Sequence, residues 1–294
     1  MTTTATHRRK TDVISAHKKM NRYQFKDKGK EHLHVLDEKP LIGASTVCKI
    51  ISKPLTWWAS GLAVSTLGWK NSKIKVGGKY QTIPAEERLK HAEKFFDELK
   101  GLTLEQYVNR LDEAYKAHSV NLKEKASDGT DLHAELEAFV LWHTAFNSGV
   151  GADDFPVRKW SKHTLAFAEW VDKNVEKFVF SEAHSYSERL WMGGISDAGA
   201  ILKNGNYAII DFKSAKDAYF DHFIQIAFYD ILISENGYFD ADGNKMGEPR
   251  KADEYIVIPF GAEKFMVKER FDVAVFRETA EATLKLYKHS LAYE

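Results

Sequence analysis

The chain has 294 residues, 44% of them hydrophobic and 13% aromatic, enough for a substantial core, and its 42 basic residues balance 42 acidic ones. That neutrality argues against a compact module that binds nucleic acid through bulk charge, and no apolar run approaches the ~18 residues of a membrane helix. The one cysteine, Cys48, excludes an intramolecular disulfide and any four-cysteine zinc or iron–sulfur site, and points to a reducing, cytoplasmic setting.

Residues 1–40 read as irregular and polar, without the apolar stretch of a signal peptide. Arg8, Arg9, Lys10, Lys18, Lys19, Arg22, Lys26, Lys28 and Lys30 face only Asp12 and Asp27 there. Such a segment is either a solvated tail or an arm that touches phosphates. Next comes an apolar, aromatic-rich stretch (43–69) interrupted by Pro54, which predicts a short helix on each side. "KNSKIKVGGKYQTIP" (70–84) reads as a basic loop. Its Gly77-Gly78 pair lacks the frame of a phosphate loop and reads as a turn.

Pro84 opens a helix to about 100, with Leu89, Phe95, Phe96 and Leu99 as candidate core residues. Thr103 and Gln106 form a capping box for a second helix to about 123. "SDGT" then predicts a break, with a third helix from Thr130 to Asn147 and a fourth from Pro156 to about Val175. The composition then changes. "KFVFSEAHSYS" (177–187), "LWMGGISDAGAIL" (190–202) and "YAIIDFKSA" (207–215) read as strands, the last two joined by an Asn204-Gly205 turn expected to be type I′. A helix over 220–235, a strand over 253–260 and a helix over 272–290 follow. "DADGNKMGEPRK" begins like a calcium loop, but its glycine is misplaced and Lys251 stands where a glutamate is needed, so it reads as a hairpin or loop. The tryptophans read as packing residues, with one or two available to stack on unpaired bases. The order of elements, helices, three strands, helix, strand, helix, gives an α/β or α+β class, with a flexible arm expected at 1–40 and a helical region at 41–124.

Strand alternation puts Asp211 and Lys213 on one face and Phe212 on the other, and a hairpin brings Asp197 beside Asp211. Two adjacent carboxylates repel unless something positive lies between them, and Mg²⁺ is suited to that place. Lys213 points into the same space, where it can orient a water or stabilise developing charge. Upstream, His133 and Glu137 share a helix face; downstream, Gln225 and Tyr229 do the same.

The ordered set Gly129, Thr130, His133, Glu137; Gly194, Asp197; Asp211, Lys213; Gln225, Tyr229 resembles the RecB-like branch of the PD-(D/E)XK nucleases. The resemblance covers about 125–235. Ser45-Thr46-Val47, followed by Lys53-Pro54 and Trp57, is similar in position to a Ser-Val-Thr segment of phage and mitochondrial relatives. What the resemblance implies is an α/β fold, a mixed central sheet flanked by helices in a restriction-endonuclease-like core at 125–294, dependent on Mg²⁺ or Mn²⁺; the iron–sulfur cluster of some relatives is excluded by the single Cys48. Asp197, Asp211, the Phe212 carbonyl and His133 would be metal ligands. Lys213 would position the attacking water. Gln225, Tyr229, Glu137, Glu182, Ser45 and Thr46 would support the site or touch DNA. The expected activity is exonucleolytic hydrolysis of DNA from single- or double-stranded ends, in phage-type recombination, repair or replication, with proteins of those modules as partners. The competing readings are a structure- or sequence-specific endonuclease, a non-catalytic nucleic-acid-binding module and a hydrolase of small phosphate esters.

Overall fold

The computed structural model describes residues 21–27, 32–52, 56–76, 79–147 and 159–293. Four short strands come first: β1 (Tyr23–Asp27), β2 (His32–Leu36), β3 (Lys39–Pro40) and β4 (Ile42–Gly43). Helices α1 (Ala44–Cys48) and α2 (Thr56–Ser65) follow, then a hairpin of β5 (Lys73–Val76) and β6 (Lys79–Thr82), then α3 (Ala85–Lys100), α4 (Leu104–Asn147) and α5 (Lys162–Asn174). The remainder is β7 (Val175–Ser187), β8 (Met192–Leu202), β9 (Tyr207–Lys213), α6 (Phe220–Asn236), β10 (Tyr238–Phe239), β11 (Lys245–Gly247), β12 (Glu254–Pro259), β13 (Lys268–Arg270) and α7 (Val273–Ser290).

The main sheet runs β11-β10-β7-β8-β9-β12-β13, with β4 paired to the start of β8. It is mixed. β7, β8 and β9 form an antiparallel meander, while β9 and β12 run parallel because α6 crosses over between them. A sheet covered on both faces calls for apolar residues on both, and β9 supplies them from Tyr207 to Ile210 and at Phe212, leaving Asp211 and Lys213 as the exceptions. Tyr207 and Ile209 enter a core shared with α1, α6 and α7, and Ala208, Ile210 and Phe212 enter a second core under α4 and α5. Trp142, Trp160 and Trp170 pack against that second core, whereas Trp57 is 91% exposed.

The structure departs from the sequence reading in several places. Residues 23–27, 32–36 and 39–40 are strands: β1, β2 and β3 form a small sheet in which Tyr23 and Leu36 pack with Leu41 and Tyr186. Residues 1–20, with most of the basic arm, lie outside the described residues, as do Pro54, Gly77-Gly78 and Pro156. The basic stretch after 70 is a hairpin instead of a loop. Leu89 and Phe96 are exposed, at 72% and 59%; only Phe95 and Leu99 turn partly inward. The Thr103–Gln106 box forms with both of its bonds, at 3.3 and 2.9 Å. Its helix then continues through "SDGT" to Asn147 without a break, so the division expected at 124/125 falls inside α4. Gly129 and Thr130 contribute to that helix backbone, and their side chains lie outside the described residues.

α5 starts at Lys162, where the Ser161 hydroxyl caps it by accepting the Thr164 N–H. Glu135 of α4 accepts the Ser161 N–H at 2.5 Å and ties the two helices together. The turn after β8 is not type I′. Gly205 has φ 92° but Asn204 does not have positive φ, and Leu202 bonds with Asn206 across a three-residue loop. That is the pattern of a type I turn closed by a left-handed glycine. No described helix is long and apolar enough to cross a membrane.

Candidate functional site

The site lies where the sheet forks. β7 covers one edge of β8 along its length. The other edge is shared: Met192–Gly193 pair with β4, and 198–201 pair with β9. Between them, 194–197 have no strand neighbour on that edge among the described residues. Asp197 and Asp211 stand one rung beyond the last β8–β9 pair, Ala198 with Ile210. There the Asp197 side chain takes over from the ladder, its Oδ2 accepting the Phe212 N–H at 2.6 Å. Phe212 thus joins the site through its backbone while its ring packs edge-on against His133 and Phe167.

Asp211 is 1% exposed. The Lys213 ammonium lies across its carboxylate, 2.9 Å from Oδ1 and 2.8 Å from Oδ2. The hydrogen bond goes to Oδ1; Oδ2 is buried with no hydrogen bond of its own. Two buried carboxylates facing one ammonium leave a negative charge without compensation. Burial accordingly pushes both Asp197 and Asp211 up to about 6, against the opposing pull of Lys213. Burial alone would lower Lys213, but the Asp211 and Asp197 charges outweigh it and raise it.

From α4, His133 Nε2 approaches Asp197 Oδ1 to 3.5 Å and Glu182 Oε1 to 4.0 Å. Glu182 reaches that place through its backbone. Its φ is 48°, unusual for a residue with a Cβ, and at this point strand alternation fails: Phe180 and Ala183, three apart, enter the same core. A left-handed non-glycine residue costs about 1 kcal/mol or more. Glu137 sits within the same field; burial and then the Glu182 charge raise its carboxyl.

α6 closes the other side. Gln225 Nε2 donates to Tyr229 Oη at 2.5 Å. The Tyr229 hydroxyl is raised well above its usual range by burial and then by the Asp211 and Asp197 charges. Gly194 makes room for this ring, since a Cβ there would stand 2.7 Å from Tyr229 Cε1. Ser45, Thr46, Gly194, Gln225 and Tyr229 line a cleft of about 420 Å³ that opens at the fork.

The structure therefore brings His133, Glu137, Glu182, Asp197, Asp211, Lys213, Gln225 and Tyr229 into one region, with Ser45 and Thr46 on the cleft wall. Sequence reasoning missed His222 and Cys48. Burial and then nearby Lys213 lower His222, with Asp211 pulling the other way. The Cys48 thiol, also beside Lys213, is pushed up to about 12 by burial. His222 was findable, because His222, Gln225 and Tyr229 follow the i, i+3, i+7 spacing of one helix face. Among the described residues, no three His, Cys, Asp or Glu side chains converge as a preformed metal cluster. One Asp197 oxygen is committed to Phe212 N–H and Lys213 spans Asp211. Asp211 Oδ2, which meets the Lys213 ammonium but has no hydrogen bond, is the kind of hard oxygen that a divalent cation takes.

No family model and no curated protein matches the chain. A solved structure described as "Crystal structure of SSO0001" is similar to 42% of this chain, over 56% of its own length, at 20% identity and a TM-score of 0.24. Similarity of that size assigns neither fold nor function.

Proposed function

We propose that the protein is a metal-dependent DNA nuclease of the PD-(D/E)XK kind, acting as an exonuclease on DNA ends. The observation that carries the reading is the buried Asp197–Asp211–Lys213 group at the fork, with one more negative charge than positive and an Asp211 oxygen left without a hydrogen bond. The donor set fits a hard divalent cation, Mg²⁺ or Mn²⁺, held by Asp197 and Asp211, with the Phe212 carbonyl and His133 as further donors. When bound, such a cation supplies Lewis-acid polarisation of a phosphodiester and lowers the pKa of a water.

The chain's own residues do the rest. Asp197 holds the Phe212 peptide and so sets the spacing of the two carboxylates. Lys213, kept charged by its neighbours, positions the attacking water and stabilises negative charge on the phosphate oxygens. Gln225 and Tyr229 fix the cleft wall along which a strand would lie.

The test uses end-labelled linear DNA, single- and double-stranded, beside a closed circle, with Mg²⁺, Mn²⁺ or EDTA. Metal-dependent loss of the linear DNA is expected, with the circle spared and an Asp211→Ala/Lys213→Ala variant inactive. A cut circle would make the protein an endonuclease. Binding without cleavage under every metal would leave a nucleic-acid-binding module.

A further inference from the structure

The β5–β6 hairpin pairs with no other strand among the described residues, and every position of β6 is exposed, as are Lys73 and Ile74 of β5. A two-stranded ribbon that buries neither face is marginal in water and gains from a partner laid against it. Its chemistry states what partner. Residues 69–83 carry Lys70, Lys73, Lys75 and Lys79 and no acidic residue. Lys70 is engaged by Glu87 at 2.6 Å, while Lys73 and Lys79 make no ion pair among the described residues. The register pairs Lys73 with Thr82 and Lys75 with Tyr80, so Lys73 and Tyr80 share one face. Tyr80 is 74% exposed, an aromatic ring offered to solvent beside a lysine.

We infer that this hairpin is a binding site for an unpaired DNA strand, a phosphate of which meets Lys73 while one of its bases stacks on Tyr80 on the same face; Lys79, paired with Val76, lies on the other face. The lysines alone would suit any polyanion. The exposed ring selects a strand whose base faces are free, because bases inside a duplex are already stacked. The identity of the nucleic acid rests on the nuclease reading above; the contact itself needs neither a metal nor the carboxylates at the fork.

The experiment measures equilibrium binding by fluorescence anisotropy in EDTA, where nothing is cut, using labelled oligothymidylate and the same strand annealed to its complement. Tyr80→Ala is expected to weaken single-strand binding about tenfold and duplex binding much less, with Tyr80→Phe restoring the affinity. Lys73→Ala is expected to reduce the slope of log affinity against log salt by about 0.7, the loss of one phosphate contact. Circular dichroism would check that each variant is folded. A folded Tyr80→Ala with wild-type affinity, or an unchanged salt slope, overturns the assignment. Cleavage assays run separately: a protein that binds through the hairpin and cuts nothing sustains this inference and sinks the nuclease reading, whereas one that cuts while all variants bind alike sinks this inference alone.

Discussion

Lys213 shows how one residue's state is set by its neighbours. Burial by itself pulls Lys213 down, yet the Asp211 and Asp197 charges outweigh it and favour the ammonium. Lys213→Met removes that cation and leaves two buried carboxylates facing each other. On the proposed nuclease reading, cleavage is expected to fall by about 10²–10³-fold, the range seen when a charge-stabilising donor is lost. Lys213→Arg keeps the charge but changes its shape and should recover only part of the activity. Single-turnover rates at saturating metal would check both; full activity in Lys213→Met would remove Lys213 from the mechanism. This trio could be read in the sequence because alternation alone puts Asp211 and Lys213 on one face. Glu182 was less legible. Its approach to His133 depends on φ 48° at a residue that simple alternation would place otherwise. His222 was overlooked although its spacing to Gln225 was visible, since one more histidine on a helix carries little signal by itself.

At the scale of elements, the strands of the core were the most readable, because β7, β8, β9 and β12 are apolar runs bounded by turn residues. α4 was misread. "SDGT" carries residues that favour turns, but an interior glycine costs a helix only ~1 kcal/mol against alanine. Buried Leu136, Phe139 and Val140 anchor its second half on the sheet and offset such a cost. α6 is tied down differently. Asp230, fully buried, accepts from the Ala252 N–H at 2.8 Å, the Tyr255 hydroxyl at 2.8 Å and Arg277 Nη1 at 2.6 Å, joining α6 to β12 and α7. Asp230→Ala would leave Arg277 without its carboxylate and two more donors unsatisfied. A loss of about 3–5 kcal/mol of stability is expected, read from urea unfolding. A loss below 1 kcal/mol would mean that water replaces the carboxylate and that the network is not structural. Nothing in the sequence pointed to this aspartate, because its three partners come from segments that only the fold brings together.

Across the whole molecule, the segment before α1 is built onto the core instead of trailing from it: the small β1–β3 sheet packs against Tyr186 of β7, and β4 joins the main sheet. β4 enters beside β8 and leaves the fork open, and α1 then lines the cleft. A two-residue strand has no pattern to read, so this arrangement was invisible in the sequence. The fork has a thermodynamic consequence that folding experiments can reach without any substrate. Burial raises the Asp197 carboxyl from its ordinary value near 3.8 to about 6, so the native protein holds a proton that the unfolded chain releases. Stability is therefore lost as the pH rises through that interval and then levels off, at a cost of about 3 kcal/mol for a shift of this size. Buried His184 and half-buried His143 and His222 act with the opposite sign, since desolvation lowers them and their contribution is lost as the pH falls. Total stability against pH would mix the two, and a difference separates them. Asp197→Asn keeps an oxygen for the Phe212 N–H but carries no charge. Relative to wild type in EDTA, the variant should gain stability by up to about 3 kcal/mol between pH 4 and pH 7.5. Adding Mg²⁺ or Mn²⁺ at pH 7.5 should then stabilise the wild type more than the variant, by about 3 kcal/mol at a hundredfold excess over Kd. A difference that stays flat with pH would show that Asp197 is not strained by its burial. A pH-dependent difference that neither metal removes would show that the stored charge is real but that no divalent cation is there to relieve it, and the proposed chemistry would lose its physical basis.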